Sequence, residues 1–107
     1  MKKITILIPT YNERENIPSL YTAVKKEIQI HKEKYTFDYL FVDDGSTDDT
    51  VDILEVLTKK DKKVKLVELS RNFGKEIALT AGIHHVKSDA LIIMDADLQH
   101  PPEVISS

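Results

Sequence analysis

The sequence predicts an α/β fold of order β-α-β-α-β-α-β, a mostly parallel sheet with helices on both faces. Three observations lead there. Four short apolar, β-branched runs recur along the 107 residues, three stretches with helical spacing separate them, and no repeat, linker or low-complexity segment interrupts the alternation. Strands alternating with helices of this size imply right-handed crossovers and therefore parallel neighbours. The length is that of one small domain, residues 1–107, with a modest core.

Ile4-Thr5-Ile6-Leu7-Ile8 is the first strand, and the spacing from Glu15 to His31 predicts the first helix. The second strand is Phe37 to Val42. After it, Gly45 permits a tight turn, Ser46 or Thr47 can cap the next helix, and Asp48 and Asp49 suit its dipole. That helix runs from Asp48 to Lys60. Val51, Leu54 and Leu57-Thr58 form its apolar stripe, whereas Asp52, Glu55 and Lys59 fall elsewhere. Val64 to Leu69 is the third strand, Lys75 to Val86 the third helix, and Ala90 to Met94 the fourth strand, which runs directly into Asp95-Ala96-Asp97.

Composition narrows the function classes. A formal net charge of −3 argues against general nucleic-acid binding, which needs a concentrated basic face. Lys59, Lys60, Lys62, Lys63 and Lys65 do cluster, but around Asp61 at a helix-to-strand junction, where a solvated loop explains them. Without cysteine there is no disulfide and no thiolate zinc site. No segment is apolar and long enough to span a bilayer, and Ile4–Ile8 is too short for the core of a signal peptide, so a cytoplasmic location is expected.

In open α/β sheets ligands bind beyond the carboxyl ends of the strands, and every such end here is polar. Strand one leads into Pro9-Thr10-Tyr11-Asn12-Glu13, strand two into Asp43-Asp44-Gly45-Ser46, strand three into Ser70-Arg71-Asn72-Phe73-Gly74-Lys75, and strand four into Asp95 and Asp97. Turn residues alone would not require this concentration of acids with Arg71 and Lys75. Asp43 and Asp44 suit hydrogen bonds from a nucleobase or ribose, while Arg71 and Lys75 suit an anion near a helix start. Tyr11 can stack on a base or pack at a loop base. Asp95-x-Asp97 suits Mg²⁺ or Mn²⁺ bridging to phosphate, and Asp and Pro equally suit the loop after a strand. With three glycines the chain has no Gly-x-Gly-x-x-Gly or Walker loop, and an EF-hand fails because Gly45 would occupy a ligand position. His31, His84, His85 and His100 show no metal spacing.

Taken together, Ile8-Pro9-Thr10-Tyr11-Asn12-Glu13, Val42-Asp43-Asp44-Gly45-Ser46-Thr47-Asp48, Ser70-Arg71-Asn72-Phe73-Gly74-Lys75 and Asp95-Ala96-Asp97-Leu98-Gln99-His100-Pro101-Pro102-Glu103 closely resemble family 2 glycosyltransferases. The wording of the last two motifs is similar to the polyprenyl-phosphate sugar transferases, the dolichol-phosphate mannose synthase-like subgroup. The resemblance implies a Rossmann-like, three-layer GT-A nucleotide-binding half. It implies that Pro9, Tyr11 and Glu13 line a nucleoside pocket, that Asp43 or Asp44 holds base or ribose, and that Arg71 and Lys75 lie near the diphosphate. Asp95, Asp97 and Gln99 would be the ligands of Mg²⁺ or Mn²⁺.

The implied reaction is inverting transfer from a UDP- or GDP-sugar to a lipid-phosphate acceptor, at the cytoplasmic face of the membrane in a full-length protein. Family members are longer. The chain is therefore expected to be the donor-binding part without the acceptor part, with an uncovered apolar edge that favours a homo-oligomer. Two rival readings stand beside this one. A non-catalytic nucleotide-binding module is compatible with the length. A haloacid-dehalogenase-like phosphatase shares Asp-x-Asp but places it after the first strand, not the fourth.

Overall fold

A computed structural model describes residues 2–94. Its elements are β1 (Lys2–Thr10), α1 (Ile17–His31), β2 (Tyr35–Asp43), α2 (Thr50–Lys60), β3 (Val64–Glu68), α3 (Lys75–His85) and β4 (Ala90–Ile93). All the predicted elements are present in the predicted order. The strands form one parallel sheet in the order β3-β2-β1-β4, with Ile6 opposite both Tyr39 of β2 and Ile92 of β4, and Phe41 opposite Leu66 of β3. The chain thus steps outward through β2 and β3, then returns to the other side of β1. Such a reversal opens a crevice at the carboxyl ends of the central strands.

Side chains alternate across the sheet with period two. Ile6, Ile8, Phe37, Tyr39 and Phe41 meet Ile17, Leu20, Val24 and Ile28 of α1 and Leu54 of α2 in one core layer. Leu7, Leu40 and Val42 meet Ala78 of α3 in the other, with Leu79 and Leu91 packed around them. This three-layer arrangement is why β1 and β2 are apolar on both faces. Ile77 and Ile83 of α3 and Ile93 of β4 remain exposed, as does the lysine-rich junction around Asp61. Among the described residues no helix is long and apolar enough to cross a membrane.

Element ends differ from the sequence expectation for local reasons. β1 and β2 extend to Lys2 and Tyr35 because their ladder continues past the apolar runs. α1 begins at Ile17, after a turn in which the Glu13 carbonyl accepts the Asn16 and Ile17 amides, and Pro18 sits in its first turn. α2 begins at Thr50, not Asp48, and neither Ser46 nor Thr47 caps it. Asp49 stands at the N-cap without a side-chain cap bond; just before it Asp48 Oδ1 accepts the Thr50 amide at 2.9 Å in a local turn, while Ser46 is occupied by Asp43.

Candidate functional site

The loops after β1, β2 and β3 are joined at the carboxyl rim by side chains, not by their own backbones alone. Asp43, the last residue of β2, is fully buried. Its Oδ1 accepts the Thr10 hydroxyl at 2.9 Å and the Ser46 hydroxyl, and its Oδ2 accepts the Ser46 amide at 2.8 Å. A buried carboxylate is tolerated only when its lone pairs find donors, and three are supplied here. The Ser46 hydroxyl in turn accepts the Asn12 amide at 2.9 Å. Asn12 stands at φ +51°, a conformation that Asn adopts more readily than most residues, and its Oδ1 accepts the Thr47 amide at 2.8 Å. One step on, the buried Thr50 hydroxyl donates to Asp48 and accepts the Glu13 amide at 2.9 Å. Burial raises the Asp48 carboxyl, but the Thr50 hydroxyl and amide, with Arg14, outweigh it and hold the group below the usual carboxylate range.

Asp44 organises the third loop. Its Oδ1 accepts the Phe73 amide at 2.8 Å, and its Oδ2 accepts the Gly74 amide at 3.0 Å and Asn72 Nδ2 at 3.1 Å. Gly45 follows at φ +73°. A Cβ built there would lie 2.3 Å from the Arg71 carbonyl carbon and 2.4 Å from the Asn72 nitrogen, so only glycine lets the two loops approach this closely. The Arg71 guanidinium then lies over the Phe73 ring, 4.9 Å from its centroid, in cation–π range.

These contacts frame an open cleft of about 410 Å³ at the carboxyl ends of β1, β2 and β3. Tyr11, Asp43, Ser46, Thr47, Arg71 and Asn72 are among its walls. Of the residues picked out from the sequence, Tyr11, Asp43 and Arg71 therefore meet around one space. Tyr11 is 44% exposed, as an available stacking surface would be. Pro9 lies half-buried near the end of β1, Asp44 is 4% exposed behind the third loop, and Lys75 opens α3. Glu13 is half-buried, its Oε2 accepting Asn16 Nδ2 at 2.7 Å.

Asp95, Asp97 and Gln99 lie outside the described residues, as does His100. Among the described residues no cluster of three His, Cys, Asp or Glu side chains could hold a metal ion. The donor chemistry of the expected set, two carboxylates and a carboxamide oxygen, is the hard oxygen set that Mg²⁺ and Mn²⁺ accept. Sequence reasoning missed Thr10, Asn12 and Thr50 as organisers of the rim. The available signal was Asn12 itself, a residue tolerant of positive φ placed directly after a strand.

The family model described as Glycosyl transferase family 2 matches residues 5–107. The uncharacterized glycosyltransferase YkcC of Bacillus subtilis (strain 168) is 43% identical over 101 residues, covering 94% of this chain and 31% of its own. A prophage bactoprenol glucosyl transferase homolog of Escherichia coli (strain K12) is 42% identical over 103 residues, covering 96% of this chain and 33% of its own. The chain thus spans about a third of the length of these relatives. Among solved structures, the mannosyltransferase PcManGT from Pyrobaculum calidifontis, in complex with GDP-Man and Mn²⁺, superposes with a TM-score of 0.76 at 26% identity, over 90% of this chain and 28% of that one.

Proposed function

The chain belongs to glycosyl transferase family 2, and on that premise we propose that residues 1–107 form the nucleotide-sugar-binding part of an inverting glycosyltransferase whose acceptor is a polyprenyl phosphate. The observation that carries this reading is the convergence of Tyr11, Asp43 and Arg71, from three strand ends, on one cleft. In it the base of a UDP- or GDP-sugar stacks on Tyr11 between the loops that begin at Pro9 and lead to Glu13. Of the two carboxylates, Asp43 in the cleft wall holds base or ribose while Asp44 secures the third loop, and Arg71 and Lys75 face the diphosphate.

Asp95, Asp97 and Gln99 would hold Mg²⁺ or Mn²⁺, which when bound counters the charge on the departing nucleoside diphosphate. The chain's own contribution is preorganisation. Asp43, Asp44 and Gly45 fix the walls before the donor arrives, so the ordering cost of binding is small. A lipid phosphate is already anionic near neutral pH, so its attack needs no strong base. The likeness to a bactoprenol glucosyl transferase homolog supports a lipid-phosphate acceptor and action at the cytoplasmic face of the membrane.

Calorimetric titration of the chain with UDP, GDP and dTDP, each with and without Mn²⁺, tests the donor site. Binding of one nucleotide only with metal is the expected result. Phosphorylation of Asp95 in place of nucleotide binding would favour a phosphatase.

A further inference from the structure

We infer that the cleft between α1 and the α2–β3 junction is a second ligand site, away from the carboxyl rim, built for a small phosphate monoester. It is independent of the nucleotide reading. The cleft holds about 430 Å³, within the range of small-molecule pockets, and Tyr21, Lys25, Phe37, Tyr39, Lys60 and Lys63 stand around it.

The floor of the cleft carries the deciding observation. Tyr39 is 2% exposed, yet its hydroxyl has no hydrogen-bond partner among the described residues. Nor is that oxygen sealed in. Among the described residues, His31 Nε2 is the one side-chain nitrogen or oxygen that is both enclosed and unpartnered, so the Tyr39 hydroxyl keeps its access through the cleft. Burial, then the neighbouring Tyr21 and Asp61, push its phenol above the ordinary value, which keeps the hydroxyl a donor. A buried donor costs free energy until it finds an acceptor, and here the acceptor has to come from outside the chain.

The surrounding charge decides which kind of acceptor. Lys25, Lys60 and Lys63 stand against one carboxylate, Asp61. That carboxylate is engaged, its Oδ2 accepting the Tyr21 hydroxyl at 2.7 Å and its Oδ1 the Lys63 amide at 3.0 Å. The remaining positive charge suits a dianion, and a phosphate monoester is close to doubly charged near neutral pH and carries three acceptor oxygens. An apolar wall adjoins the cations. Lys25 Nζ lies 5.6 Å from the centroid of the Tyr21 ring, and the Tyr21 and Tyr39 rings stand tilted at 5.5 Å, so an ester with an aromatic body fits both. The helix dipole explains Lys60 in the last turn of α2 but neither Lys25 in the middle of α1 nor the Tyr39 hydroxyl.

Calorimetric titration of the chain with phenyl phosphate and with inorganic phosphate, at low salt, tests the site. Phenyl phosphate should bind the more tightly, since only it meets the apolar wall. Tyr39→Phe removes one hydroxyl and should weaken phenyl phosphate about tenfold, the size of a hydrogen bond to a charged acceptor. Thermal stability should hold or rise, because no protein partner is lost. Lys60→Gln combined with Lys63→Gln, at two exposed positions, should also weaken it about tenfold. Vesicles of phosphatidylcholine with phosphatidic acid distinguish the source of the phosphate. Sedimentation of the parent but not of Tyr39→Phe assigns it to a lipid headgroup, and binding of phenyl phosphate alone assigns it to a soluble ester; either supports the site. A parent chain that does not bind phenyl phosphate overturns the inference, as does equal affinity in Tyr39→Phe. An affinity that falls in Arg71→Lys but not in Tyr39→Phe places the ester at the rim and overturns it as well.

Discussion

Asp44 and Phe73 stand 29 positions apart in the chain and meet in one hydrogen bond, the Phe73 amide donating to Asp44 Oδ1 at 2.8 Å. With the Gly74 amide and Asn72 Nδ2 on the other oxygen, a single carboxylate at the end of β2 holds the loop that carries Arg71 into α3.

Replacing Asp44 by Ala leaves two backbone amides without acceptors, and Asn72 Nδ2 with the Asp44 carbonyl at 3.2 Å, at a site 4% exposed. The expected loss of stability is about 2–4 kcal/mol, since charge-assisted bonds and unsatisfied buried donors each contribute on the kcal/mol scale. Amide hydrogen exchange should accelerate first at Phe73 and Gly74. Exchange that rises uniformly across the sheet would show that Asp44 supports the whole fold and not this loop.

Gly45 and Gly74 both have positive φ, at +73° and +104°, yet their substitution by Ala should differ. A Cβ at Gly74 meets nothing within 4 Å, so Gly74→Ala costs backbone strain alone, about 1–3 kcal/mol at φ +104° and ψ +154°, a region essentially confined to glycine. Gly45→Ala adds a collision with the backbone of Arg71 and Asn72 and should cost at least about 1 kcal/mol more. Urea unfolding of the two variants side by side checks the order.

Arg71→Lys keeps the positive charge but loses the planar group over Phe73 and any bidentate contact with phosphate. Affinity for nucleoside diphosphate should fall about tenfold, with thermal stability nearly unchanged because Arg71 is exposed. Equal affinity in parent and variant would remove Arg71 from the proposed site.

At the opposite end of the sheet, the Tyr21 hydroxyl donates to Asp61 Oδ2 at 2.7 Å. Burial, then the hydrogen bond and charge of Asp61, push the Tyr21 phenol up to about 12 from 10.0. Burial alone would raise Asp61, but the Tyr21 hydroxyl, the Lys63 amide and nearby lysines outweigh it and lower its carboxyl below 3.8. The signs follow by linkage. Tyr21, raised on folding, contributes stability that is fully present below pH 10 and is lost between 10 and about 12. Asp61, lowered on folding, contributes stability that is present above pH 3.8 and is lost as pH falls further. Tyr21→Phe should therefore be less stable than the parent at neutral pH, with the gap closing at strongly alkaline pH. Urea unfolding across the two pH ranges measures it, and a gap independent of pH would contradict the assignment.

Element identity and order were legible because the signals are local. Ile4–Ile8 and Phe37–Val42 advertise strands through β-branched and aromatic runs, and Val51, Leu54 and Leu57 mark the inner face of α2. The gathering of polar side chains at the carboxyl rim was legible as well, since a parallel sheet brings all its strand ends to one edge. The family resemblance, read from four motifs, agrees with the match over residues 5–107.

The sequence by itself determined the succession of strands and helices, the parallel sheet they imply and the residues that gather at its rim, because each of these follows from short-range periodicity and the chirality of crossovers. Only the tertiary structure decided that β4 returns beside β1, that Asp44 serves the Phe73 loop, that Ser46 serves Asp43 and does not cap α2, and that Asn12 clasps Thr47. The strand order and the two clasps join segments far apart in sequence and depend on strand register. Ser46 is unavailable to α2 because its amide and hydroxyl are taken by Asp43. No local pattern encodes such choices; they are made when the sheet closes and each buried donor must find an acceptor.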